Sequence, residues 1–563
     1  MAEPLSLESH EIGGQPLIAP FLDRLGLRTF FEGALGEADR RLRLSHTKTA
    51  LLMIRNFTLS RHPLYAVPQW LSRFDPGELG LEPEHLRLLN DDRLGRTLDR
   101  LFKVDLRTLM TRLVVHMVRE FDLDLDRLHN DSTSITFKGA YREQPPRKDG
   151  RRRLKIAHGH NKDHRPDLKQ LVWTLTISAD GAVPVHYNVD DGNVTDDQTH
   201  VQTWDVLRHI VGRAEFVYVA DCKLCTKHNM GYIDRHQGWF ITVLPQTRKE
   251  DARFKKWILD NTGNWQVIWK RPHCRGAKTV PPEVFEALDA PEPSAEGYRI
   301  VWYRSSEKWK RDQQARDDAI QAARMALQRL SERVGKRFLK TRAQVQEAVA
   351  KILDDTHTHA WVKVEVAQRR RHTYKQAGPG RPARHTRYTR QYTTVHEPVV
   401  TIDTEAVKAS AAIDGIFPLI TNTPPARFSS LDLLKTYKYQ AFLEKRHEQL
   451  KTPAELVPVN FKSPERIEAF LFLYFVAILI HALMERQVRK AMKARGIKDI
   501  PLYPEERACR APTADKILDL FEPIRRHRLR RGGRLVKTFW DELNELQRTV
   551  LDLLEIPASD YGK

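Results

Sequence analysis

Apolar residues in the first 120 positions recur every three to four residues. Ala50–Thr58 and Leu101–Phe121 show this spacing most clearly, and it places their apolar side chains on one side of a helix. No residue pattern in this stretch points to chemistry. The sequence therefore predicts a helical N-terminal domain over residues 1–122.

From residue 123 the pattern changes to short β-branched and apolar runs, which are typical of strands. Together with the intervening helical stretches, they follow the order three strands, a helix, a strand, a helix and a strand. The strand candidates are Asp126–Phe137, Leu171–Ser178, Val183–Val189, Glu215–Asp221 and Trp239–Leu244, and the helix candidates are Thr199–Val211 and Thr226–Arg235. This order predicts a mixed sheet with helices on its faces, and so an α/β fold.

Residues 246–430 break this alternation. Strand candidates recur at Trp265–Trp269, Tyr298–Tyr303 and Ala360–Val366. Arg311–Lys351 has the pattern of one long or broken amphipathic helix, and Gln368–Val395 contains eight arginines or lysines and no acidic residue. The segment is predicted to contain strands, a long helix and a basic loop.

Helical spacing returns at Leu431–Lys451 and Pro464–Lys493. Within the second of these, Ile467–Met484 is the most apolar stretch of the chain, but it also carries a glutamate and a histidine. These ionisable residues favour a buried core helix over a membrane span. The tail, residues 501–563, is predicted to be helical and basic, with its densest charge at Ile524–Arg534.

Two aspartates occupy positions where a carboxylate is costly without a partner. Asp131 lies inside the first strand candidate and Asp221 ends the fourth, where sites form in open α/β sheets. Two acids on neighbouring strands can share a divalent cation, and Mg²⁺ prefers such oxygen ligands. Either aspartate alone is equally well explained as a strand-end or turn residue. The pair favours a metal site.

The helix that follows residue 430 offers a third acid. Four residues of this helix are separated by steps of three, four and seven positions: Tyr437, Gln440, Glu444 and Lys451. They therefore share one helix face. A carboxylate for metal, a lysine for phosphate and a tyrosine for packing could form one wall of an active site. From the helix alone an ordinary solvated face explains them as well, and Glu448 is the next candidate for the acid.

The charge of the chain narrows the choice of partner. Its 563 residues carry a formal net charge of +20, which favours nucleic acid first and an anionic membrane surface second. A basic protein that binds nucleic acid without chemistry stays open. The run GPGRPAR, with Arg381 and Arg384, is typical of a minor-groove hook or of a solvated basic loop. A third interpretation lies between these two: the loop binds DNA phosphates without recognising the base sequence.

Four cysteines are too few for a disulfide framework and indicate a reducing compartment. Cys222 and Cys225 form a CxxC motif, and His273 with Cys274 could supply the other half of a zinc site. Because a structural zinc site needs four ligands at reliable spacing, we interpret the cysteines as packing residues beside Asp221. No secretory signal is visible at the N-terminus, which favours a cytoplasmic location.

An ordered set of motifs over residues 10–490 resembles bacterial DDE transposases of the insertion-sequence "IS four" group, in particular its sixteen-thirty-four-like subgroup. Tyr437, Gln440, Glu444 and Lys451 match the spacing of the signature around the catalytic glutamate of that group, with Gln440 where the group has arginine. The other motifs are HPLYAVPQW at 62–70, LNDDRLGRTLDRLF at 89–102, HNDSTSITFKG at 129–139, GHNKDHRPDLKQL at 159–171, DGNVTDD at 191–197, VADCKLCT at 219–226 and DGIFPLITN at 414–422.

The resemblance implies an RNase H-like (retroviral-integrase-like) catalytic core that is interrupted by an insertion. The two parts of the core would be residues 123–245 and 431–500, with a β-rich insertion domain over 246–430, too long for a loop. A helical N-terminal domain over 1–122 would serve in DNA-end binding or dimerisation, or simply as support. Residues 501–563 would form a helical basic C-terminal region.

The resemblance also implies that Asp131, Asp221 and Glu444 are catalytic and hold two Mg²⁺ ions, for which Mn²⁺ can substitute. One ion would activate a water, and later a DNA 3′-hydroxyl, while the other stabilises the leaving oxygen, with no covalent enzyme–DNA bond. The predicted DNA contacts are Tyr437, Gln440, Lys451, Arg165, Lys169, Arg381 and Arg384. The predicted partners are transposon-end DNA and target DNA, bound by a homodimer at the bacterial nucleoid, with no membrane.

Two other functions stay open. An RNase H-like nuclease, such as a resolvase or repair enzyme, would share the metal chemistry without strand joining. A DNA-binding transposase relic would have lost cleavage, which Gln440 supports and the intact acids oppose. Arg165 and Lys169 either position DNA or belong to a loop that an Arg165–Asp167 ion pair holds.

Overall fold

The computed structural model describes residues 4–36, 43–142, 145, 147, 150, 152–261, 263–272, 281–336, 338–454 and 463–562. The chain forms two compact units. Unit 1 comprises Met1–Thr242 and Leu433–Lys563, and unit 2 comprises Val243–Asp432. Unit 2 is therefore inserted in the chain between the two segments of unit 1.

The first segment of unit 1 is largely helical up to residue 120 and then alternates strands with helices. Its helices are α1 (Gln15–Arg24), α2 (Leu27–Leu35), α3 (His46–Leu59), α4 (Val67–Leu71), α5 (His85–Leu88), α6 (Asp91–Phe102), α7 (Leu106–Glu120), α8 (His200–Val211) and α9 (Lys227–Arg235). Its strands are β1 (Leu5–Glu11), β2 (Arg127–Phe137), β3 (Lys169–Ser178), β4 (Pro184–Asp191), β5 (Val217–Val219) and β6 (Trp239–Val243). The strand and helix order predicted after residue 123 is confirmed.

Strands β2 to β6 lie side by side in the order β4-β3-β2-β5-β6. β2, β3 and β4 pair antiparallel, whereas β5 is parallel to β2 and β6 is parallel to β5. Nearly every residue of β3 is buried, including the threonines that alternate with its apolar residues, so the strand is covered on both faces. The mixed sheet confirms the α/β class.

Unit 2 contains an antiparallel sheet in the order β12-β9-β8-β7 and a separate two-stranded hairpin, β10-β11. Its strands are β7 (Gln266–Arg271), β8 (Glu283–Asp289), β9 (Arg299–Ser305), β10 (Val362–Gln376), β11 (Tyr388–Ile402) and β12 (Ile416–Thr421). Its helices are α10 (Lys249–Asp260), α11 (Ser306–Arg333), α12 (Arg342–Asp355) and α13 (Thr404–Ala412). The predicted basic loop at 368–395 is wrong for most of its length, because only residues 377–387 connect two long strands.

The second segment of unit 1 returns to helices and ends in short strands. Its helices are α14 (Ser430–Lys438), α15 (Gln440–Ala454), α16 (Pro464–Ala494), α17 (Ala514–Phe521) and α18 (Glu545–Leu553). Its strands are β13 (Ile500–Tyr503), β14 (Arg507–Cys509), β15 (Arg525–Arg531) and β16 (Arg534–Trp540). Helix α16 is long and apolar enough to cross a membrane, but 94% of its most apolar window is buried inside the protein, as expected of a core helix.

The prediction of a helical tail is wrong for the basic run at residues 524–534. β15 pairs antiparallel with β1, from Leu5 opposite Arg531 to Glu11 opposite Arg525, and β16 pairs with the other edge of β15. An ion pair of 3.2 Å between Arg530 and Glu8 crosses the first of these pairings. The basic run is thus a strand, and Glu8 of β1 neutralises the charge of one of its arginines.

A buried ion pair holds the glutamate-bearing helix α15 in place. The guanidinium of Arg446 lies 2.8 Å from Glu485 of α16, and both side chains are only 4% exposed. Arg446 also donates to the backbone carbonyl of Ala182, in the turn between β3 and β4, at 3.0 Å. Glu485 accepts a hydrogen bond of 3.0 Å from the backbone N–H of Ala514, at the start of α17. One pair therefore joins four elements of unit 1.

Candidate active site

The two predicted aspartates stand level with each other on adjacent parallel strands. β2 and β5 are in register, with His129 opposite Val219, and Asp131 and Asp221 each follow two residues later. Asp221 caps the short helical turn after β5 by accepting a hydrogen bond of 3.0 Å from the backbone N–H of Lys223. The structure thus places both carboxylates at the same level of the sheet, just beyond the end of β5, on neighbouring strands as predicted.

The two carboxylates influence each other electrostatically. Burial raises the pKa of Asp221, and the negative charge of Asp131 raises it further, while the backbone N–H of Lys223 and the ammonium of Lys162 lower it. The Nζ of Lys162 lies 3.3 Å from Asp131 Oδ1 and donates to the carbonyl and hydroxyl oxygens of Ser132, each at 2.8 Å. A lysine therefore partly balances the charge of two crowded acids.

Tyr437, at the end of α14, lies within the field of all three predicted catalytic acids. Burial raises the pKa of its phenol, and negative charge from Asp221, Asp131 and Glu444 adds to that effect. The phenol keeps its proton at neutral pH and can donate a hydrogen bond. Its position links the glutamate helix to the two aspartates.

The predicted single helix over residues 431–451 is wrong at one point. α14 ends at Lys438 and α15 begins at Gln440, with Tyr439 in a turn whose backbone N–H bonds to the Thr436 carbonyl at 3.1 Å. The ring of Tyr439 packs 5.1 Å from that of His129 on β2, a contact that favours the tight turn over a continuous helix. Tyr437 therefore belongs to a different helix from Gln440, Glu444 and Lys451.

Gln440 joins α15 to the catalytic strand. Its amide nitrogen donates to the backbone carbonyl of Asn130 at 2.9 Å, and its amide oxygen lies 3.1 Å from Nδ1 of His129. Both ends of the amide are engaged beside Asp131, which gives Gln440 a positioning role. Its contact with DNA stays a prediction.

Further along α15, Glu444 and Glu448 are exposed, and Lys451 forms an ion pair with Asp163. Asp163 follows Lys162 directly, so the loop after β2 approaches both the acids and the predicted phosphate-binding lysine. Neither loop residue was singled out from the sequence, although both stand in the motif GHNKDHRPDLKQL. The DNA contact predicted for Lys451 is not tested by this pairing.

His447 is a buried residue of α15 to which the sequence pattern assigned no role. Burial lowers its pKa to about 3, and the positive charges of Lys162 and Lys451 lower it further. Its imidazole is therefore neutral at physiological pH. A histidine one turn after Glu444 was the only signal for it in the sequence.

The other predicted DNA-binding residues have simpler surroundings. Arg165 forms an exposed ion pair of 2.7 Å with Asp167, the arrangement expected of a loop held by its own charges. Lys169 donates to the backbone carbonyls of Ala140 and Tyr141 at 2.6 and 3.0 Å. In unit 2, Arg381 and Arg384 are exposed in the loop between β10 and β11. Their contacts with DNA stay predictions.

The cysteines of the CxxC motif lie in the turn that Asp221 caps. Cys225 is buried and Cys222 is partly buried, and both are free thiols. Burial raises the pKa of the Cys222 thiol, and the charge of Asp221 adds to this. His273 and Cys274 lie outside the described residues, so the interpretation of packing cysteines stays a prediction.

The donor set fits a hard divalent cation in part. Asp131 and Asp221 offer carboxylate oxygens on adjacent strands, as Mg²⁺ requires, and their mutual repulsion would be relieved by a bound cation. Within the described ranges, no three histidine, cysteine, aspartate or glutamate side chains stand close enough together to hold a metal ion. Metal binding by Asp131 and Asp221, with Glu444 as the third ligand, therefore stays a prediction.

The raised pKa of Asp221 leads to a prediction about stability. Because its pKa is raised in the native state, the ionisation of Asp221 lowers the free energy of unfolding as pH rises. Without metal, Asp221→Asn is therefore expected to be more stable than wild type at pH 7. This difference should shrink as pH falls and Asp221 takes up its proton. Magnesium at 100 times its dissociation constant should stabilise the wild type by about 2.7 kcal/mol and the variant much less.

Thermal and urea unfolding with Mg²⁺ or with EDTA would measure both effects. Asp205→Asn on α8 is the matched control, because that carboxylate is exposed and accepts a hydrogen bond of 3.0 Å from Tyr232. An equal gain from magnesium in wild type and Asp221→Asn would show that the cation binds elsewhere.

Comparison with known proteins gives matches to a family model and to solved structures. A family model described as a domain of unknown function, DUF4277, matches residues 7–115. No curated protein matches the chain. Among solved structures, a cryo-EM structure of a piggyBac transposase synaptic complex with hairpin DNA matches with 8% identity and a TM-score of 0.38, over 92% of this chain and 82% of that chain. The function of this protein is therefore inferred from its own motifs and site.

Proposed function

We propose that the chain is a DDE transposase, which cleaves transposon ends and joins their 3′-hydroxyls to target DNA by two-metal phosphoryl transfer. The observation that carries this proposal is the level placement of Asp131 and Asp221 on parallel strands, next to the helix that bears Glu444. The strand order β4-β3-β2-β5-β6, with three antiparallel strands followed by two parallel ones, supports an RNase H-like core. The sixteen-thirty-four-like motifs supply the assignment to the "IS four" group.

The residues around the two aspartates divide the chemistry among them. Asp131, Asp221 and Glu444 would hold two magnesium ions, and bound magnesium activates the attacking oxygen and stabilises the leaving one. Lys162 balances the aspartates and can turn its ammonium to a phosphate oxygen when their charge is neutralised. Tyr437, which keeps its proton, can donate a hydrogen bond to the same phosphate.

The net charge of +20 supports DNA as the partner, through phosphate contacts that do not depend on base sequence. Lys451 would contact the phosphates at the cut, and Lys169 and Arg165 would contact other phosphates of the same DNA. Because two transposon ends must be joined in one reaction, we propose a homodimer that acts on chromosomal DNA in the cytoplasm of a bacterium.

A cleavage assay tests this proposal. The full chain is incubated with Mg²⁺ and labelled DNA that carries the terminal repeats flanking its own gene, together with a target plasmid. Cleavage at the repeat ends that leaves 3′-hydroxyls, followed by joined products, is expected for wild type and for the Asp205→Asn control. Asp221→Ala is expected to give neither product.

Other outcomes separate the alternatives. Cleavage without joined products would indicate an RNase H-like nuclease. Tight binding of the repeat ends without cutting, in Mg²⁺ and in Mn²⁺, would indicate a transposase relic.

A further inference from the structure

The hairpin of β10 and β11 is a long ribbon that extends beyond the core of unit 2. Each strand has 15 residues and the pairing runs without interruption from Val362 opposite Ile402 to Gln376 opposite Tyr388. At about 3.3 Å per residue the ribbon is roughly 50 Å long. Its base packs with α11 and α12 around Val362 and Val395, whereas its distal half, residues 368–375 and 388–394, is exposed on both faces.

One face of the distal ribbon carries three tyrosines. Side chains of directly opposed residues lie on the same face, and successive residues alternate between faces. Tyr392 is opposite His372, Tyr388 is opposite Gln376, and Tyr374 is opposite Arg390. The rings of Tyr374, Tyr388 and Tyr392 are 64%, 51% and 62% exposed. We call these three residues and His372 the tyrosine face.

The opposite face of the same segment has no aromatic side chain. It carries Thr373, Thr389 and Thr393, together with Lys375 and Arg371. Neither face of the ribbon is covered in this segment, so packing against the protein does not explain why the tyrosines lie on one face only. The threonines offer a matched control for the tyrosines.

The charge of the ribbon indicates an anionic partner. Residues 368–395 hold eight arginines or lysines and no acid. Arg369 and Arg371 pair with Glu397 nearer the base. Within the described part of the chain, no ion pair engages the other basic residues of this stretch, which are Arg370, Lys375, Arg381, Arg384, Arg387 and Arg390. Their charge is available to a polyanion.

Arginine and aromatic rings are interleaved on the tyrosine face. The guanidinium of Arg390 lies 5.2 Å from the ring centre of Tyr392, and its Nη2 is 3.1 Å from Nδ1 of His372. The rings of His372 and Tyr374 meet edge to face at 5.7 Å. Exposed rings held at fixed spacing beside cations are the pattern by which proteins stack unpaired bases and hold the adjoining phosphates.

We propose that the tyrosine face binds single-stranded DNA, with its rings stacked on unpaired bases and the arginines of the ribbon on the backbone. Duplex DNA fits this face poorly, because the faces of its bases are already stacked on each other. Only base edges are accessible in the major groove, and these are read by polar side chains and not by stacked rings. The choice of DNA rests on the proposed function, since base pairs at a cleaved transposon end can open and expose unpaired bases. The stacking chemistry does not depend on it.

Fluorescence anisotropy on the full chain tests the proposal. The chain carries Asp221→Asn and is kept in EDTA, and the probes are a labelled single strand of about 20 nucleotides of mixed sequence and its duplex. Replacing all three tyrosines, Tyr374→Ala, Tyr388→Ala and Tyr392→Ala, is expected to weaken single-strand binding roughly tenfold or more, with duplex binding changed less than about twofold. The corresponding Tyr→Phe chain should keep single-strand affinity, because stacking needs the ring and not the hydroxyl.

The threonine face provides the control. Thr373→Ala, Thr389→Ala and Thr393→Ala together should leave both affinities unchanged, with unfolding temperatures of all chains matching. Unchanged single-strand affinity in the tyrosine-to-alanine chain would overturn the proposal, and so would an equal loss for single strand and duplex. Because no cleavage is measured, failure of the transposase proposal would leave this result unaffected.

Discussion

Replacement of Glu444 by glutamine is expected to lower the rate of transposon-end cleavage by roughly a thousandfold, the effect of removing one group that stabilises charge in the transition state. Glu444 contributes to the negative field at Tyr437 together with Asp131 and Asp221. Glutamine keeps the size and the exposed position of the side chain but offers a neutral oxygen in place of a carboxylate. DNA binding in EDTA should be unchanged, because the loss concerns the metal and not the phosphates.

Glu448 is the matched control for this experiment. It lies one turn further along α15 and is exposed in the same way, so Glu448→Gln should cleave within about threefold of wild type if helix position decides the ligand. The measurement is single-turnover cleavage of end-labelled DNA in saturating Mg²⁺. The reverse result, with Glu448→Gln inactive and Glu444→Gln active, would move the third ligand to Glu448.

Replacement of Arg446 by methionine is expected to lower the free energy of unfolding of unit 1 by about 3 kcal/mol. The buried Glu485 would keep only its longer ion pair with Arg489, at 3.3 Å, and its hydrogen bond from the backbone of Ala514. The ion pair is 4% exposed on both sides, so water cannot replace the lost interaction. The bond from Arg446 to the Ala182 carbonyl is lost as well. Urea unfolding followed by circular dichroism measures the change.

An exposed ion pair gives the comparison for Arg446. Arg96 and Asp92 on α6 are 3.4 Å apart and mostly exposed, so Arg96→Met should cost less than about 1 kcal/mol. Similar losses in the two variants would mean that Glu485 is satisfied without Arg446. Cleavage should fall in Arg446→Met only in proportion to unfolding, since this arginine positions α15 and contacts no substrate.

The proximity of Asp131 and Asp221 could be predicted because buried strands can be recognised from their local sequence. The Thr-, Ser- and Ile-rich segment that forms β2 and the apolar segments that form β3 and β5 are local signals, and an acid inside or just after such a segment stands out. The break between α14 and α15 at Tyr439 has no such local signal in the sequence. It depends on the contact of Tyr439 with His129, more than 300 residues away in the chain, and helical periodicity alone continues through it.

The basic segments were the hardest to predict. β10, β11 and β15 carry charged residues on exposed faces, so the apolar alternation that identifies a half-buried strand is missing. β15 is a strand because β1, at the other end of the chain, pairs with it, and partners that distant are not visible in local sequence. The roles of Lys162 and Asp163 depend in the same way on where a loop folds back.

The pairing of β1 with β15 bears on how the protein matures during synthesis. Unit 1 cannot close until the ribosome has released residues beyond Arg531, and its acids come from both sides of unit 2, with Asp131 and Asp221 encoded before it and Glu444 after it. Pairing of such distant segments is intrinsically slow. A polypeptide terminated within unit 2 would therefore lack both the helix that carries Glu444 and the strand that pairs with β1, and one terminated between α16 and β15 would still lack that strand.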